Sequence, residues 1–132
     1  MNTKLLMSIS AAIMIAIGLA FSFMPQEILS ALDITITDRT MPLILQLTGA
    51  LYLGFGTMNW MAKTVLIGGI YAKPLCMGNF AHFLIASLAL MKNLMRNSIA
   101  STYIWILTII YALLAIAFGF VSMTNPGKKT TD

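Results

Sequence analysis

His82 is the only histidine in the 132-residue chain, and it lies in the apolar stretch "GNFAHFLIAS" at positions 78–87. An imidazole can take up a proton near neutral pH, bind a metal or act as a general base. Asn79 precedes it by three residues, so the two share one face of a helix. A second polar set recurs in "LQLTGALYLGFGTMNWMA", where Gln46, Gly49, Tyr52, Gly56 and Asn59 follow at intervals of three or four. That spacing gives one helix a continuous polar and small face. The candidates for a ligand-binding or polar pocket are therefore His82, Asn79, Asn59, Gln46, Tyr52 and Gly56.

Other chemistry is poorly supplied. A nucleophilic site needs a nucleophile, a base and an orienting group within hydrogen-bond reach. Ser87 and Cys76 are the available nucleophiles, neither lies in an activation motif, and Ser87 is five residues from His82. No catalytic residue is assigned, and the expectation leans against an enzyme. One histidine and one cysteine make neither a metal-ligand set nor a disulfide, so no metal and no cofactor are expected. "GFG" at 54–56 lacks the strand and helix context of a phosphate loop. The eleven methionines are scattered without a ligand repeat, which fits flexible apolar filling.

The elements that position these residues follow from composition. Hydrophobic residues make up 59% of the chain and charged residues 9%, with mean hydropathy +0.89. Soluble domains carry about 25% charged residues, because a wet surface must be covered. Lipid is the solvent that tolerates this composition. Four apolar runs, about 5–24, 41–61, 75–91 and 99–123, have the roughly 17–25 residues that cross a hydrocarbon core as helix. The expected fold is all-α, a polytopic four-transmembrane-helix bundle forming one domain over 1–132. The first run lacks an obvious cleavage site, so it reads as a retained span. Ser8, Ala12, Ala16 and Ala20 form its expected small-residue packing stripe, and Thr108, Tyr111, Ala112, Ala115, Gly119 and Ser122 form that of the fourth span.

The connectors set the orientation. "PQEILSALDITITDRTMP" offers one or two interfacial helical turns followed by an extended stretch, and carries Glu27, Asp33 and Asp38 against Arg39. "AKTVLIGGIYAKP" carries Lys63 and Lys73 and no acid. Basic residues accumulate on the cytoplasmic side, which places this second connector, Lys4 and the tail lysines Lys128 and Lys129 inside. Arg39, Lys92 and Arg96 then fall outside. Both termini are expected in the cytoplasm of a cell with the protein in its inner membrane. Trp60, Tyr71 and Trp105 read as interfacial anchors. The basic residues do not cluster, so no nucleic-acid partner is expected.

In that orientation Asn79 lies roughly 6–8 Å inside the cytoplasmic boundary and His82 roughly 11–12 Å. The second span runs the other way, so the second and third spans are expected to pack with Asn59 near Asn79, and with Gly56 leaving room for the imidazole.

"FSFMPQEILSAL", "LILQLTGALYLGFGTMNWMAK" and "YAKPLCMGNFAHFLIASLAL" together resemble small four-span bacterial proteins grouped near the DoxX-like families, over roughly residues 1–95. The resemblance implies a four-helix membrane bundle and no particular chemistry. The functional expectation is a non-catalytic membrane protein with an accessory, partner-binding or lipid-binding role. Its partners would be membrane lipids, another protein or further copies of itself. The alternative is a small transporter or channel with a polar pocket at Asn59, Asn79 and His82.

Overall fold

The computed structural model describes residues 2–64, 72–96 and 102–124. They form five helices: α1 (Thr3–Phe23), α2 (Pro25–Ala31), α3 (Thr40–Ala62), α4 (Lys73–Arg96) and α5 (Thr102–Met123). All but the short α2 are long and apolar enough to cross a membrane. At about 1.5 Å rise per residue, each matches or slightly exceeds a hydrocarbon core about 30 Å thick. The chain divides into two compact units at residue 64, so α1–α3 form one and α4 and α5 the other.

Within the first unit α1 and α3 pack antiparallel. Gly18 lies against Leu53, Ile15 against Gly56, and Ser10 against Asn59. Within the second unit α4 and α5 are also antiparallel, with Phe83 against Tyr111 and Cys76 reaching Phe118.

The helix boundaries have local causes. Asn2 caps α1 by accepting from the Leu5 amide at 3.2 Å. Met24 leaves the helical region as the residue before Pro25, which then opens α2 at a position where no amide partner is needed. At the end of α2 the Asp33 amide donates to Ser30 O at 3.0 Å and the Ile34 amide to Leu29 O at 2.9 Å. This is a Schellman closure, and its left-handed residue is Asp33 at φ 57° in place of the usual glycine. Asp38 accepts from the Thr40 amide at 2.8 Å as α3 begins. The alternating Ile34–Thr37 stretch is neither helix nor strand and lies exposed.

The four spans overlay the expected runs, with one extension. α4 continues five residues beyond Met91, through Lys92 to Arg96. Hydropathy marks where lipid ends, whereas the helix persists as long as its backbone bonds are made, and Arg96 in the last turn complements the helix dipole. The 65–71 part of the second connector, with Tyr71, and the expected start of the fourth span at 99–101 lie outside the described residues. Trp60 and Trp105 are both about half exposed near helix ends, and Lys63 Nζ sits 3.1 Å above the Trp60 ring.

Polarity is distributed for lipid. Leu51, Ile85 and Ile116 are each about two-thirds exposed, while Ser10, Asn59, Asn79, Ser87 and Thr108 are buried. Water would penalise such a surface, and hydrocarbon favours it. The chain is an all-α, multi-pass membrane protein.

Because a left-handed conformation costs an L-residue about 1–2 kcal/mol, and an aspartate somewhat less, Asp33→Gly should raise stability by about 0.5–1 kcal/mol and Asp33→Val should lower it. Thermal unfolding in detergent, followed by helix ellipticity, measures both.

Candidate functional site

The polar face of α3 is the face that α1 covers. Gly49, Gly56 and Asn59 are its buried positions. A Cβ on Gly49 would stand 2.7 Å from the Ser22 backbone nitrogen and 2.9 Å from Gly18 O. A Cβ on Gly18 would meet the Leu53 nitrogen at 2.8 Å, and one on Gly56 would meet Ile15 Cγ1 at 2.7 Å. These glycines let two backbones touch, which side chains larger than hydrogen would prevent.

The remaining α3 candidates also meet α1. Gln46 Nε2 donates to Ser22 O at 3.4 Å, and the Tyr52 ring lies 5.9 Å from that of Phe21. Asn59 Nδ2 donates to Ser10 Oγ at 3.2 Å and approaches Met14 Sδ at 3.6 Å. Ser10 Oγ in turn donates to Met7 O at 3.0 Å. An amide nitrogen carries two hydrogens, so Asn59 serves both α1 side chains at once.

The packing face of α1 differs from the expected one. Met7, Ser10, Ala11, Met14 and Gly18 are buried, whereas Ala12 and Ala16 are exposed. An interval of four residues advances about 40° around the helix at each step, so a stripe of fours winds off the contact. Seven residues nearly close two turns, and Ala11 with Gly18 faces Gly49 with Gly56 at that interval. On α5 the expected stripe mixes threes and fours, and Thr108, Tyr111, Ala115 and Gly119 are all buried.

In the second unit Asn79 and His82 belong to a different kind of contact. Asn79 is fully buried and donates to Leu75 O at 2.9 Å. His82 is half-buried, with its ring edge-on to Phe83 at 5.1 Å and tilted against Tyr111 at 6.1 Å. Phe83 is the centre of this group, edge-on to Tyr111 at 5.3 Å and stacked on Phe118 at 5.8 Å. Gly119 gives the Phe80 ring its place, since a Cβ there would come within 3.0 Å of it. The two possible nucleophiles point their hydrogens at backbone carbonyls. Cys76 Sγ donates to Phe118 O at 3.5 Å, and Ser87 Oγ to Leu84 O at 2.8 Å. Among the described residues no three of histidine, cysteine, aspartate and glutamate come together as a metal site.

The sequence offers Gln46, Tyr52, Gly56 and Asn59 as pocket candidates but does not reveal Ser22, Phe21, Ile15 and Ser10, which they meet on α1. Phe83 and Phe118 were equally hidden as a stacked pair. The spacing of Phe118 seven residues after Tyr111 was the available signal, and it is indistinct in a helix that is apolar all round. No protein-family model, curated protein or solved structure matches this chain.

Interhelical hydrogen bonds in membranes average about 0.6 kcal/mol, with a maximum near 1.7. Asn59→Ala and Ser10→Ala should each destabilise, and a double-mutant cycle between them should give a coupling of about 0.5–1.5 kcal/mol. Gly49→Leu should be more damaging, by about 1–3 kcal/mol, since backbone must move to admit it. Thermal unfolding of the purified variants in one detergent reads all three.

Proposed function

We propose that this chain is a non-catalytic integral protein of a bacterial inner membrane, with both termini in the cytoplasm, acting as an accessory that engages a lipid or protein partner. The observation carrying this reading is that Tyr52, Gly56 and Asn59 each meet α1. Groups that could have furnished a solute pocket are engaged in holding one helix to another. The hydroxyl of Ser87 and the thiol of Cys76 are committed to backbone carbonyls, which argues in the same direction. The resemblance to DoxX-like four-span proteins accords with this reading.

The competing reading is a small transporter or channel, and it draws on the complete burial of Asn59 and Asn79 in membrane-spanning helices. Polar side chains at such depth commonly mark solute or ion pathways.

Purified full-length protein in liposomes should pass ions and small polar solutes no faster than empty liposomes. Flux above that background, abolished by His82→Ala in a variant that still folds, would replace the accessory reading with transport. Orientation has a separate expected outcome: a reporter fused after Lys128 should be active only as a cytoplasmic fusion, and activity as a periplasmic one would reverse the topology.

A further inference from the structure

The lipid-binding side of that reading can be made specific at the connector between α2 and α3. An open groove of about 490 Å³ lies there, within the size range of small-ligand clefts. Its polar lining includes Asp38, Arg39, Gln26 and Gln46, and its apolar lining includes Ile36 and Leu43. Phe23 ends α1 and Thr40 begins α3, so the groove sits where two spans leave the hydrocarbon. Leu43 is half exposed and is followed one turn later by exposed Leu47, which continues the apolar wall along α3 into the acyl region.

We propose that this groove holds the headgroup of one ethanolamine phospholipid, with the phosphate on Arg39 and the ammonium on Asp38. The proposal rests on the reading of the chain as a lipid-engaging membrane protein. One cation and one anion line the groove, so its charge matches a zwitterion. An anionic glycerol headgroup would satisfy Arg39 with its phosphate but would offer Asp38 only neutral hydroxyls, leaving the carboxylate without a cation. A choline headgroup has no N–H to donate, and such ammonium groups are usually held by aromatic cages. The groove lining contains no aromatic residue. A primary ammonium, by contrast, has three donors for a carboxylate and amide oxygens.

The acceptors have capacity for it. Asp38 Oδ1 accepts the Thr40 amide, one of about four acceptor positions on a carboxylate. Gln46 uses its Nε2 on Ser22 O, which leaves its Oε1 as an acceptor for the ammonium. Arg39 supplies the planar fork that suits a phosphate.

The test is native mass spectrometry of the full-length protein in detergent, with ethanolamine, choline and glycerol phospholipids of identical acyl chains added at equal concentration. The wild-type chain should retain the ethanolamine lipid about fivefold over each of the others, the scale of one ion pair near water. Asp38→Asn keeps an oxygen to cap Thr40 but removes the negative charge, so retention should move toward the glycerol lipid. Arg39→Gln removes the anchor for the phosphate that all three lipids share, so retention of all three should fall. Equal retention of all three lipids by the wild type, a preference untouched by Asp38→Asn, or retention untouched by Arg39→Gln overturns the headgroup site. Liposome flux is measured independently, so failure of the accessory reading and failure of this site are separate results.

Discussion

Helices surrounded by hydrocarbon gain little by burying apolar side chains against one another, since lipid tails are equally apolar. What holds α1 to α3 is therefore close approach, as where Gly18 meets Gly49 and Leu53. At that contact a single additional carbon would collide with backbone, which cannot rotate away as a side chain can. The register of the helix pair follows from it. With Gly18 beside Gly49, antiparallel geometry carries Ile15 to Gly56 and Ser10 to Asn59, so the polar tie and the steric fit specify the same alignment.

The second pair solves the same problem with different chemistry. Phe83 stands between Tyr111 and Phe118, and the Phe80 ring fills the space above Gly119. Edge-to-face and offset ring contacts add direction to an otherwise nonspecific apolar contact. His82 borders this group through Phe83 and Tyr111. One helix pair is thus built on missing side chains and the other on large ones. In both, hydroxyl and thiol groups return their hydrogens to backbone carbonyls, as for Ser10, Ser87, Thr108 and Cys76.

Between α1 and α3 the chain leaves hydrocarbon and must re-enter it within sixteen residues. Pro25 starts a new helix immediately, Asp33 turns the chain through the left-handed region, and Asp38 accepts the Thr40 amide where the next span begins. Each device satisfies backbone groups near the point where lipid gives way to water. The same segment gathers Asp38 and Arg39 beside apolar Ile36 and Leu43. Its chemistry is that of a membrane interface, charged on one side and oily on the other.

The amino-acid sequence determined that the chain is helical and spans a membrane, because composition and run length alone decide whether a segment can exist in hydrocarbon. It also determined which face of α3 is special, since Gln46, Gly49, Tyr52, Gly56 and Asn59 stand apart from the leucines around them. Only the tertiary structure decided what that face meets. The contacting face of α1 is Ala11, Met14 and Gly18, not the evenly spaced Ala12 and Ala16, and both stripes are made of small or apolar residues that lipid accepts equally well. Periodicity can mark a face as distinct, but in a helix that is apolar all round it does not say which stripe faces protein. That choice depends on steric fit with a second backbone, and the glycines that permit it act through the atoms they lack.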